Sequence, residues 1–181
     1  QEGVQKISFK RSFYLPKWHP YTDYTKEYTA KKELGGGVIR TLSHEIDLMI
    51  KWLGAPISVT GVTDKISLLD IDTDDFAFFT CKMKNGARVN FELDFLSPIN
   101  INIGELYTPK GKYFWDMKKV EFIPFDSDKT TVVFESLQND FDEMYQNQMN
   151  DFIKFIQDSK SENATFKEAL DVLNIIKIVD K

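Results

Sequence analysis

Residues 34–54 read LGGGVIRTLSHEIDLMIKWLG, and the rest of the chain is best read outward from them. Three glycines, Gly35, Gly36 and Gly37, come first, and a helix-period pattern follows. At roughly 100° per residue, Val38, Ile39, Leu42, Ile46, Met49, Ile50 and Leu53 fall on one stripe. Arg40, His44, Asp47 and Lys51 fall on the opposite side. The spacing predicts a helix over 38–53, stopped by Gly54 with Pro56 just beyond it. Such a helix buries its stripe on a sheet and displays a row of ionisable groups, among them one of only two histidines in the chain.

On the N-terminal side, residues 3–13 alternate loosely, as a strand does. Residues 14–24, YLPKWHPYTDY, hold two prolines and four aromatics, which predicts an extended, ordered loop. Residues 25–34 are polar and suit a short helix or turn. On the C-terminal side, residues 57–67 are β-branched, and 76–83 are apolar on both sides, as in a central strand. Asn85-Gly86 is a strong hairpin signal. After it, Ala87, Val89, Phe91, Leu93 and Phe95 point one way, and Arg88, Asn90, Glu92 and Asp94 the other. Residues 101–108 and 112–117 suit a second hairpin around 109–111. Two edge strands are expected over 120–125 and 130–135, Pro124 fitting an edge better than a centre.

Two helices close the chain. The first carries a stripe of Phe141, Met144, Tyr145, Gln148, Met149, Phe152, Ile153 and Ile156. The second opens on a Thr165…Glu168 capping box and runs apolar through Ala169, Leu170, Leu173, Ile176 and Val179. Strands are grouped rather than alternated with helices, so the fold class is α+β with a largely antiparallel sheet. No G-x-G-x-x-G joins a strand to a helix, and there is no Walker loop.

A chain of 181 residues suits one domain, whose core needs no disulfide or metal. Net charge is −5 with the signs interspersed, which argues against a nucleic-acid footprint. Cys81 is the only cysteine and falls in an apolar strand, so a buried thiol is expected. That composition fits a reducing cytoplasm. No signal peptide is visible and no apolar run approaches a membrane span, so no membrane partner is expected. The sequence begins at Gln1, without an initiator methionine, and is expected to be a piece of a longer protein.

His44 on a polar helix face is either an ordinary surface residue or a general acid/base, since imidazole titrates nearest neutral pH. Asp47, three residues on, is close enough to orient the ring, and Arg40 could hold an anionic group. His-x-x-Asp offers only two metal ligands, whereas structural zinc wants four, so no metal is expected. The glycines could form a nest of N–H groups for an anion, or let the backbone pass close to another element. Arg11, Tyr14, Lys17, Trp18, His19, Tyr21, Asp23 and Tyr24 form a mixed aromatic and charged surface of the kind sugars favour; the plainer reading is a loop packed over the helix. Asp74-Asp75 read as turn residues at a strand end.

Gly35-Gly36-Gly37, His44-x-x-Asp47 and Trp52-Leu53-Gly54 together resemble the second domain of the Gfo/Idh/MocA oxidoreductases. The 14–24 loop resembles a subgroup found among nucleotide-sugar and surface-polysaccharide enzymes. The resemblance covers nearly the whole chain. It implies an open sheet with helices on one face, and an N-terminal Rossmann domain, absent here, that binds NAD or NADP. Substrate would lie between the two domains. His44 would be the acid/base for a sugar, nucleotide-sugar or polyol hydroxyl, and Asp47 its partner. Gly36 and Gly37 would face the cofactor, Arg11, Tyr14, Trp18, His19, Tyr24 and Arg40 the substrate. This piece alone would bind no dinucleotide and be inactive, and the sheet face would join copies into a homo-oligomer. Many members carry an acid one turn before the histidine, where this chain has Arg40 and Thr41, and the family's lysine near the nicotinamide is missing. The alternative is a non-catalytic carbohydrate-binding or self-association module of the same fold.

Overall fold

The structure, a computed structural model, describes residues 3–136, 141–158 and 165–180. Eight strands form one sheet: β1 (Lys6–Ser12), β2 (Ser58–Asp64), β3 (Phe76–Lys82), β4 (Arg88–Asp94), β5 (Ile101–Thr108), β6 (Gly111–Trp115), β7 (Lys119–Pro124) and β8 (Thr131–Glu135). Their spatial order is β2-β3-β4-β1-β5-β6-β7-β8. Only β1 and β4 run parallel; every other pairing is antiparallel. Five α-helical segments accompany it: α1 (Leu15–Trp18), α2 (Val38–Thr41), α3 (His44–Leu53), α4 (Phe141–Asp158) and α5 (Phe166–Val179). No helix among the described residues is long and apolar enough to cross a membrane.

Period-2 alternation explains which face is covered. Ile7 and Phe9 from β1 with Phe13 just past it, Ala77, Phe79 and Cys81 from β3, and Val89, Phe91 and Leu93 from β4 are buried on one face. Val38, Ile39 and Leu42 meet them from α2 and the turn after it; Ile46, Met49 and Ile50 do so from α3, and Val172, Ile175, Ile176 and Val179 from α5. Phe9 stacks on Phe91, which stacks on Phe79. Trp52 and Trp115 extend the aromatic layer past Phe9. Burial pushes the Cys81 thiol up to about 12. On the open face lie half-exposed polar pairs such as Lys10–Glu92 at 2.7 Å and Lys112–Glu105 at 2.8 Å.

The fold class, the strand positions and the Asn85-Gly86 hairpin follow the sequence reading, and five details differ. The 38–53 helix is two helices. The Thr41 hydroxyl donates to the Gly37 carbonyl, a back-bond that bends helices, and Leu42 leaves helical geometry at φ −103°, ψ 29°. The expected 14–24 loop contains the helical turn α1, where Pro16 presets the first turn, and three 3-10 turns follow at Tyr24–Lys26, Tyr28–Ala30 and Lys32–Leu34. β3 is covered on one side only, leaving Phe78 exposed. In α5 the buried side is Val172, Ile175, Ile176 and Val179, while Leu170 and Leu173 are exposed. The 120–125 strand, expected at an edge, lies between β6 and β8, and of the two expected edge strands only β8 is one; Pro124 is tolerated because it ends β7 beyond the last residue that β8 pairs, so its missing N–H costs no ladder bond. The side chain of Phe141 lies outside the described residues; Met144, Tyr145, Met149, Phe152, Ile153 and Ile156 of its stripe are exposed.

Candidate functional site

The glycine run is held from within the chain. A Cβ on Gly36 would stand inside the radius of the Tyr28 carbonyl oxygen, 2.7 Å from that of Thr29 and 2.9 Å from that of Lys31. Gly37 has φ +113°, and a Cβ there would overlap the Asp74 carboxylate. The N–H of Gly36 donates to Lys31, that of Gly37 to Thr29, that of Val38 to the Asp74 carbonyl, and that of Ile39 to Asp74 Oδ2. Of the two readings of the glycines, close backbone packing is the one realised. The nest for an anion is corrected: Gly36 and Gly37 have no N–H left to offer a cofactor.

Beyond the bend, α3 begins at His44, whose side chain is 61% exposed. It opens onto a cavity of about 520 Å³ walled by Arg40, Ser43 and Asp47 on one side and Ala169, Val172, Leu173 and Ile176 of α5 on the other. His44 and Asp47 therefore share a wall, but the carboxylate beside the ring is that of Glu45. His44 Nε2 stands 3.0 Å from Glu45 Oε2. Glu45 is only 7% exposed, and its Oε1 lies 3.9 Å from Arg11 Nε on β1.

Glu45 is the residue the sequence reading missed. It lies three residues after Leu42 and four before Met49, on the buried side of the helix. Arg11 alternates with Phe9 and Phe13 and so points into the same layer. Two opposite charges on two faces that pack together were a legible signal.

Arg40 pairs with Asp180, just past α5, and donates to the Gly36 carbonyl at 3.4 Å. Its guanidinium already has an acid, supplied by α5 rather than by α2. Asp74 lies nearby. Burial first, and the charge of Asp180 as well, hold its carboxyl above the usual 3.8, against the opposing N–H of Ile39. A carboxyl raised in the folded state favours folding most at low pH, and that contribution is lost as pH rises from the unfolded value through the folded one. Asp74→Asn, which cannot ionise, should therefore fall further behind the wild type in Tm as pH is lowered from about 7 to about 3. A gap that stays constant or closes would contradict this. Asp75, the other acid of the pair, is buried and accepts from the N–H of Ile66 and Ser67, a structural turn residue as expected.

The loop residues separate. Arg11, Tyr14, Lys17 and Trp18 line a second cavity of about 260 Å³ with Phe13, Pro98, Ile99 and Asn100. His19 and Tyr24 do not join it. His19 stacks on Trp18 and its Nδ1 lies 2.8 Å from Glu27, while the Tyr24 hydroxyl accepts from Asp70 N–H at 3.2 Å. His19 is engaged within its own loop and Tyr24 by the chain at Asp70, so the expected surface is not brought together in one cavity. The His44 cavity and the loop cavity share no lining residue, and Arg11 of the second reaches toward the first through its contact with Glu45. Among the described residues no group of three or more His, Cys, Asp or Glu could hold a metal ion.

A statistical description of the GFO/IDH/MocA C-terminal domain matches residues 5–114. Among solved structures, levoglucosan dehydrogenase in complex with NADH and L-sorbose is 15% identical, with a TM-score of 0.78 over 97% of this chain and 56% of its own. UDP-N-acetylglucosamine 3-dehydrogenase from Acidithiobacillus ferrooxidans is 14% identical, with a TM-score of 0.75 over 98% of this chain and 52% of its own. An oxidoreductase from Agrobacterium radiobacter, in complex with NAD+, L-tartaric acid and magnesium, is 13% identical, with a TM-score of 0.76 over 97% and 53%. The chain thus spans about half the length of the structures it matches. No curated protein sequence matches it.

Proposed function

Because the chain belongs to the Gfo/Idh/MocA family as a C-terminal domain, we propose that it is the substrate-binding and oligomerisation half of an NAD- or NADP-dependent oxidoreductase. Its substrate is a hydroxyl of a sugar, nucleotide-sugar or polyol, and the missing half is an N-terminal Rossmann domain. The observation that carries the reading is His44: a titratable side chain, mostly exposed, at the mouth of a cavity in a domain of an oxidoreductase family.

The described residues do not fit a dinucleotide. They hold no strand-glycine loop-helix unit, and the N–H groups of Gly36 and Gly37 are taken. Hydride chemistry therefore belongs to the other half, and this chain handles the proton. In alcohol oxidation His44 accepts the hydroxyl proton, and in the reverse direction it returns it. Asp47, on the same wall, contacts substrate or the ring. Arg11, Tyr14 and Trp18 offer a cation and two aromatic faces for the more distant part of the substrate, and Arg40, paired with Asp180, lines the His44 cavity.

The apolar side chains on α4, Met144, Tyr145, Met149, Phe152, Phe155 and Ile156, are exposed here, an arrangement that suits cover by the rest of the polypeptide. The open sheet face, with Phe78 exposed among charged pairs, suits contact with a second copy. A cytoplasmic setting fits a single cysteine that is buried.

The test is calorimetry with NADH and NADPH on the full-length protein and on this chain, followed by nicotinamide absorbance assays with sugars, polyols and nucleotide-sugars. The full-length protein should bind one dinucleotide and turn over a hydroxyl compound, and this chain should do neither. A full-length protein that binds neither dinucleotide would support the non-catalytic module instead.

A further inference from the structure

The proposed acid/base sits against a buried carboxylate that the sequence reading left out. Glu45 Oε2 is buried and forms no well-aligned hydrogen bond, and neither do Nε and Nη1 of Arg11. Leaving a buried polar group unmatched is costly, the more so when it is charged, so such a group calls for a reason. The closest cationic or ionisable partner of Oε2 is the His44 ring at 3.0 Å, and that of Oε1 is Arg11 Nε at 3.9 Å. The three side chains form a line from the buried end of β1, through the first turn of α3, to the mouth of the His44 cavity.

We propose that Glu45, paired with Arg11 on its other oxygen, is the positioning residue for His44: it holds the ring with Nε2–H toward Oε2 and leaves Nδ1 to exchange the proton with substrate. The inference rests on the acid/base reading of His44. When the substrate hydroxyl gives up its proton, the O–H bond breaks with its electron pair left on oxygen, and an N–H bond forms at Nδ1. The ring then carries a positive charge, which the Glu45 carboxylate already faces. A small turn of the ring aligns Nε2–H with Oε2, removing one orphan acceptor. Among the described residues around this cavity, Arg40 and Asp47 face it from α2 and α3, α5 contributes only Ala169, Val172, Leu173 and Ile176, and Arg11 stands behind Glu45.

The experiment uses the full-length protein with 15N-labelled histidine, His44 being assigned by the signal lost in His44→Asn. In the wild type, ring nitrogen shifts should report the Nε2–H tautomer. In Glu45→Gln, which keeps the shape of the side chain and removes its charge, the His44 titration should move down, the direction expected on losing an opposite charge in contact. An Nδ1–H tautomer in the wild type, or an unmoved titration in Glu45→Gln, overturns the inference and leaves the function reading standing. The pH profile of kcat/KM is measured on the same two proteins. If His44 is the acid/base, the limb it sets shifts with the titration. A titration that moves while the limb stays still overturns the acid/base reading, and the structural pair survives it. The wild-type tautomer needs no change at Glu45 and so keeps the test open should Glu45→Gln fold poorly.

Discussion

Replacing His44 with asparagine in the full-length protein is expected to lower kcat by about 10²-fold or more, the usual contribution of a positioned acid/base, with Tm close to that of the wild type. The reason for the second half is geometric. The ring is mostly exposed and adds nothing to the buried layer under α3, which is built by Leu42, Ile46, Met49 and Ile50. Asparagine is compatible with the first turn of a helix and keeps a polar group beside Glu45. It cannot take up a proton near neutral pH. If KM rises while kcat is unchanged, His44 only binds substrate. If neither changes, His44 is surface, and the cavity beside it serves something other than proton transfer.

The second large effect concerns stability. Gly36→Ala is expected to destabilise this chain by about 3 kcal/mol or more, the upper end of what overpacking costs. For a domain of this size that lowers Tm by roughly 6–12 °C. The atoms a new Cβ would meet are the carbonyl oxygens of Tyr28, Thr29 and Lys31. All are backbone, so no side chain can turn aside, and the whole 28–31 turn must move. The Gly36 carbonyl also accepts from Arg40, so the shift would reach the cavity wall. Gly35→Ala provides the comparison. Gly35 has φ +77° with nothing within 4 Å, and alanine there should cost only about 1 kcal/mol. Equal losses at the two positions, read by thermal unfolding, would show that conformation rather than crowding governs Gly36.

What could be read from sequence was whatever leaves a periodic trace. The alternation of 87–95 marked the buried side of β4, Asn85-Gly86 marked the hairpin, and the glycine run with His44-x-x-Asp47 pointed to the family. What escaped depended on single contacts. The Thr41 back-bond that splits the helix at Leu42 leaves apolar spacing unchanged, so periodicity reads straight through it. The two faces of α5 were misjudged because Leu170 and Leu173 continue the apolar pattern on a side that this chain leaves uncovered. At the site, the eye went to residues on the polar side of α3. Arg11 and Glu45, charges placed on buried faces, are where local pattern and chemistry conflict, and such conflicts gather at functional sites.

A structure of the full-length protein with bound dinucleotide and a hydroxyl substrate tests the central claim most directly. A ring nitrogen of His44 should lie within about 3.2 Å of the reacting hydroxyl, in a cleft whose second wall is the nucleotide-binding half. A His44 ring on an outer surface, away from both substrate and dinucleotide, would contradict it.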